Sequence, residues 1–145
     1  MGNDIMCQNQ HGFRSGKSCL TQLLGHINDV LFGMLEGSDV DAIYLDFAKA
    51  FDKVDHHLLL KKLERYGFPD KLIAWISSFL SNRLQQVVVN GEMSYPATVI
   101  SGVPQGTVLG PLLFILFIND MDNCVINSII RFFADDTRIL KHISC

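Results

Sequence analysis

Phe132-Phe133-Ala134-Asp135-Asp136-Thr137-Arg138-Ile139-Leu140 sets two adjacent carboxylates between two short runs rich in aromatic and β-branched residues. Such runs favour strands, so the stretch reads as a tight hairpin with charge at its tip. Neighbours on a straight strand point to opposite faces, so both acids can serve one cation only if the backbone turns there or one lies at a strand end. A third carboxylate must come from elsewhere. The best candidate is Asp46, which follows the apolar run Ala42-Ile43-Tyr44-Leu45 and falls near the end of a second predicted strand. Three acids at strand ends suit Mg²⁺, which takes a few carboxylates plus water and phosphate oxygens. Two such ions about 3.5–4 Å apart are the usual apparatus of in-line nucleotidyl transfer. Asp52 and Asp55 lie just beyond and read instead as caps or salt-bridge partners of the following helix.

Outward from these acids the chain alternates helical and extended patterns. Ser18 is a predicted N-cap for a helix reaching about Leu35, because Leu20, Leu23, Leu24, Ile27, Leu31 and Leu35 recur at helical spacing. Asp55 caps a second helix that Gly67 ends, and Pro69 begins a third carrying Leu72, Ile73, Trp75, Ile76 and Phe79. Gln85–Val89 and Tyr95–Ile100 flank Asn90-Gly91, a pair that supplies the positive φ angles of a tight hairpin turn. A fourth helix is expected from about Leu109 to Asn123. No linker interrupts this layout, so it reads as one α+β domain, an antiparallel sheet with helices largely on one face.

Composition narrows the class. A chain of 145 residues with 48% hydrophobic and 19% charged residues can bury a core and is not a disordered segment. Its net charge of −3 is unusual for a nucleic-acid enzyme, whose phosphate contacts need clustered Lys and Arg. Cys7, Cys19, Cys124 and Cys145 show no zinc-site spacing, and His56-His57 diverge on a helix, so zinc is not expected and the thiols read as reduced. The longest apolar stretch, Val108 to Ile118, contains Gly110 and Pro111 and is far below the roughly 20 residues of a membrane helix. No leader pattern opens the chain, so an intracellular protein of cytoplasm or nucleus is expected. Gly12-Phe13-Arg14-Ser15-Gly16-Lys17-Ser18 has three residues between its glycines where a phosphate-binding loop needs four.

Four segments together resemble a known family. Gln10-His11-Gly12-Phe13-Arg14-Ser15-Gly16-Lys17-Ser18, Tyr44-Leu45-Asp46-Phe47-Ala48-Lys49-Ala50-Phe51-Asp52-Lys53-Val54-Asp55-His56, Ser101-Gly102-Val103-Pro104-Gln105-Gly106-Thr107-Val108-Leu109-Gly110-Pro111 and Phe133-Ala134-Asp135-Asp136 resemble, in order and spacing, the successive motifs of reverse transcriptases. The form is similar to the non-LTR (LINE-type) retrotransposon branch and more distantly to group II intron enzymes. The resemblance implies a palm fragment: a partial fingers segment over about residues 1–38, palm over about 39–145, and no thumb. It implies RNA-templated DNA synthesis from dNTPs on a DNA primer, with two Mg²⁺ ions (Mn²⁺ as the substitute) held by Asp46, Asp135, Asp136 and the Phe47 carbonyl. It further implies that Phe51 excludes a 2′-hydroxyl, that Gln105 and Gly106 contact the nascent base pair, and that Arg14 with Lys17 faces template or triphosphate.

Two other classes compete. A catalytically inactive retrotransposon remnant, binding nucleic acid or protein at most, is favoured by shortness and negative charge. A palm-type nucleotide cyclase is disfavoured by Pro104-Gln105-Gly106 and Phe51. Exposed apolar edges in a fragment of this kind predict self-association.

Overall fold

The computed structural model describes residues 5–143, so Cys145 lies outside the described residues. The chain divides into two compact units, residues 1–48 with 114–145, and residues 49–113. Secondary structure is mixed, with small antiparallel sheets.

The first unit is built on a three-stranded antiparallel sheet in the order β1 (Asp39–Leu45), β7 (Asp136–Ile143), β6 (Ile129–Phe133). The β1–β7 ladder runs from Asp39↔Ile143 to Leu45↔Thr137. The β6–β7 hairpin closes at Phe133↔Asp136, leaving Ala134 and Asp135 as its two-residue loop. Helix α1 (Cys19–Leu35) packs on this sheet and starts with a reciprocal cap: the Ser18 hydroxyl accepts from Thr21 N and Ser18 N donates to Thr21 Oγ1.

A leucine stripe ordinarily marks the core face of a helix. Here Leu20, Leu24, Leu31 and Leu35 are exposed, and the buried residues are Gln22, His26 and Gly33. The sheet-facing side of α1 is polar because the strands present polar partners. Arg131 Nε and Nη2 donate to the two Asp29 carboxylate oxygens at 2.6 and 3.0 Å. His142 Nε2 lies 3.0 Å from the Asp29 carbonyl and His26 Nε2 lies 3.0 Å from the Tyr44 hydroxyl. Gly25 and Gly33 leave room for these long side chains; a Cβ on Gly33 would come within 2.7 Å of Val40 Cγ2.

In the second unit α2 (His56–Arg65) is capped by Asp55, whose carboxylate accepts Leu58 N at 2.7 Å, and it packs against α3 (Asp70–Leu80), which follows Pro69. Val54, Leu59, Leu63, Ile73, Ile76 and Leu80 are buried. The expected long hairpin is two short ladders instead: β2 (Leu84–Gln85) with β5 (Ala97–Thr98), and β3 (Val88–Val89) with β4 (Glu92–Met93) around Asn90-Gly91. Between them Ser94 donates N–H to Val87 O while its hydroxyl accepts Val87 N, and Pro96 has no N–H to offer a ladder.

Helix α4 (Leu109–Ile118) is apolar all round, with Leu113 to Leu116 buried. It stops short of the expected Asn123, giving way to a 3₁₀ segment over Asn119–Cys124. Side chains of that segment serve the N-terminal loop: Asn119 Oδ1 accepts Cys7 N and Asp122 Oδ1 accepts Asn9 Nδ2. Asn and Asp that bond other segments in this way compete with helix continuation.

Candidate functional site

The acid pair sits where the strand pattern demands a turn. Ala134, the first residue of the two-residue loop, holds φ +53°, in the range that L residues rarely adopt. A non-glycine residue there costs on the order of 1–2 kcal/mol, so something must hold it. Asp136 opens β7, and one step beyond the last pair Leu45↔Thr137 the antiparallel register sets Asp46 opposite Asp136.

Asp46 and Asp136 line one open depression of about 180 Å³, together with Tyr44, Leu45, Thr137 and Arg138. Asp135 is not in its lining; it stays in the loop, where its carbonyl accepts the Thr137 hydroxyl at 3.2 Å. Phe47 follows Asp46 and is exposed. Among the described residues no three His, Cys, Asp or Glu side chains gather into a metal-holding cluster. Two exposed carboxylates sharing a depression nevertheless fit Mg²⁺, which asks one or two acids of the protein and fills its sphere with water and phosphate oxygens.

Two further residues of this depression, Tyr44 and Arg138, flank the acids. The Arg138 guanidinium lies 5.8 Å from the Tyr44 ring centroid, stacked as a cation on an aromatic face. Period-two alternation could have found both, since Tyr44 is two before Asp46 and Arg138 two after Asp136, hence on the acids' face. Outside the lining of this depression, Gln10 donates to and accepts from Ala134.

The N-terminal basic residues are engaged locally. Arg14 Nη1 donates to Cys7 O at 2.5 Å, and Lys17 Nζ donates to Gln8 O. Burial, and then Lys17, Arg131 and Arg14, lower the His11 pKa, and the ring's Nδ1 lies 2.8 Å from Thr21 Oγ1. Burial, and then Arg138, likewise lower His26. Its Nδ1 is buried with no hydrogen-bond partner among the described residues, so protonation would strand a charged N–H there. Burial foremost raises the Cys7 thiol.

In the second unit Phe51 is half-buried in a 3₁₀ turn over Phe51–Lys53, and its carbonyl accepts Val103 N at 3.0 Å. Asp52 is not a helix cap, in contrast to expectation: its carboxylate accepts Gln105 Nε2 at 3.3 Å and its carbonyl accepts the Ser101 hydroxyl at 2.8 Å. An open cleft of about 770 Å³ is lined by Lys49, Asp52, Arg83, Gln85, Ser101 and Gln105, among others. Gly102 (φ +85°) closes its floor; a Cβ there would lie 2.8 Å from the Asp52 backbone, while Arg83 and His56 both reach the Gly102 carbonyl. Gly106 (φ +75°) has open space around it, so backbone conformation rather than crowding calls for glycine.

The sequence profile of the family described as "Reverse transcriptase (RNA-dependent DNA polymerase)" matches residues 2–142. The chain is 36% identical over 138 residues to the RNA-directed DNA polymerase from mobile element jockey of Drosophila melanogaster, covering 90% of this chain and 15% of that protein. It is 34% identical over 125 residues to the probable RNA-directed DNA polymerase from transposon BS of the same fly, covering 82% and 14%. It is 30% identical over 87 residues to the Pol polyprotein from type-1 retrotransposable element R2 of Popillia japonica, covering 60% and 14%. The chain thus spans about one seventh of the length of these relatives.

Proposed function

The chain belongs to the reverse transcriptase (RNA-dependent DNA polymerase) family, and from that membership we propose that it is the palm-centred part of a non-LTR retrotransposon polymerase copying RNA into DNA. Residues from about 39 onward are the palm in this reading, and about 1–38 the fingers side. The observation that carries it is the depression shared by Asp46 and Asp136 beside the Asp135 loop, at the ends of two hydrogen-bonded strands. Asp46, Asp135, Asp136 and the Phe47 carbonyl would hold Mg²⁺ or Mn²⁺, which when bound acidifies a primer 3′-hydroxyl and neutralises triphosphate charge.

The chain's own share is orientation. The β1–β7 ladder fixes the separation of Asp46 and Asp136, and Arg138 adds a cation beside them. The Phe51 ring excludes a 2′-hydroxyl, and Gln105, steadied by Asp52, contacts the nascent base pair with Gly106 leaving its approach clear. For Arg14 to meet template or triphosphate, its guanidinium must share or release its bond to Cys7 O. Partners in this reading are an RNA template, a DNA primer and dNTPs. No helix among the described residues is long and apolar enough to cross a membrane.

The competing reading, an inactive remnant that binds nucleic acid or protein, is favoured by the acids not gathering into a three-ligand cluster among the described residues. Primer extension on an RNA template with dNTPs and Mg²⁺ separates the two. Extension by the wild-type chain and none by Asp135→Ala/Asp136→Ala is expected; no extension by a folded wild-type chain would favour the remnant.

A further inference from the structure

We propose that Gln10 is a positioning residue for the acid pair: its side-chain amide clamps the Ala134 peptide and so fixes the loop from which Asp135 and Asp136 project. The segment around it lies alongside β6. Gln10 forms a parallel bridge with Phe132, His11 N donates to Phe132 O at 2.8 Å, and Phe132 N donates to Asn9 O at 2.9 Å. This backbone pairing carries the Gln10 side chain to the end of β6, where it is buried at 4% exposure.

There the amide engages both polar groups of one residue. Gln10 Oε1 accepts Ala134 N at 2.9 Å and Gly12 N at 2.7 Å, while Nε2 donates to Ala134 O at 3.3 Å. An amide nitrogen cannot accept a hydrogen bond, so only this orientation of the side chain satisfies two facing N–H groups. The β6–β7 ladder ends at Phe133↔Asp136, so the Ala134 peptide has no ladder partner and the Gln10 amide stands in for one.

The clamped residue is the strained one, Ala134 at φ +53°, immediately before Asp135. Gly12 completes the fit: a Cβ at that position would lie 2.4 Å from Ala134 N and 3.1 Å from Gln10 Oε1. A strained loop held by buried bonds from another segment is preorganised, and groups behind a metal's ligands typically change its affinity tenfold or more. The functional half of this proposal rests on the reading of the acids as metal ligands; the clamp itself does not.

The test uses the whole 145-residue chain and two readouts. The first is amide hydrogen exchange. In the wild type, Gly12 and Ala134 N–H should exchange slowly although both lie outside the ladders, and Gln10→Met should speed both while Ile139 and Leu140 in mid-β7 keep their protection. Fast exchange at Ala134 in the wild type overturns the clamp without any variant, and unchanged exchange in a folded Gln10→Met chain does the same. The second readout is binding of Mn²⁺ alone, followed by electron paramagnetic resonance of the free ion, with Asp46→Ala/Asp136→Ala as the control that abolishes it. Gln10→Met should bind about tenfold more weakly, and Gln10→Glu, which keeps an oxygen for both N–H groups, should recover most of the loss. Wild-type Mn²⁺ affinity in folded Gln10→Met would reduce Gln10 to a structural residue. Failure of the wild type to bind Mn²⁺ would overturn the metal-site reading, while exchange at Ala134 still decides the clamp.

Discussion

His26 shows what a single residue contributes through its surroundings. Burial, then the Arg138 and Arg131 guanidinium groups, lower its pKa from 6.5, with Asp29 opposing. The folded chain therefore resists a proton that the unfolded chain accepts, so His26 favours folding fully above pH 6.5 and that stability is lost as pH falls below it. His11 is shifted in the same direction. Urea midpoints of the wild type should fall between pH 7.5 and 5.5, and His26→Gln should show a smaller fall; an equal fall would refute the assignment. None of this was legible in the sequence, because the ring's partner Tyr44 is 18 residues away and its burial depends on the sheet. The acids were legible as residues, since Asp135-Asp136 between β-branched and aromatic runs signals a loop on its own. That Asp46 shares its depression with Asp136, leaving Asp135 outside, follows from register and loop type, which adjacency in sequence does not encode.

At the level of elements, α1 separates what periodicity reveals from what it hides. Its start at Ser18 and its end near Leu35 follow from the cap and the leucine spacing. Its orientation does not, because the face it buries is the polar one, matched by Arg131 a hundred residues downstream. Leu31→Lys on the exposed stripe should change stability by no more than about 0.5 kcal/mol. Gly33→Ala should do the reverse of what helix propensity favours. Alanine gains about 1 kcal/mol in a helix, but the new Cβ meets Val40 Cγ2 at 2.7 Å and the His142 ring at 2.9 Å, and that ring is tied to Asp29 O. Overpacking of about 1–3 kcal/mol outweighs the gain, and urea denaturation of the two variants would measure the contrast. The Asn90-Gly91 turn was legible from two residues, whereas the break of its hairpin into two ladders depended on Ser94 and Pro96 in combination.

Over the whole molecule, the exposed apolar surface is the quantity that sequence composition conceals. Leu24, Leu31 and Leu35 on α1, and Val87, Val88 and Val89 around the short ladders, are all more than half exposed. Patches of that kind drive association in water. Light scattering should show a mass that rises with concentration, reduced by Leu24→Lys with Leu31→Lys; a constant monomer mass in the wild type would contradict this. The bond between Gln10 and Ala134 has a consequence of another kind, since it joins residues 124 positions apart. On the ribosome, the segment that steadies the acid loop is made 124 residues ahead of the loop it holds. Contacts of such long range form late, because chain entropy must be overcome before they contribute. The acid loop is then among the last pieces of its unit to take shape, and the geometry of Asp135 waits on a segment made long before it.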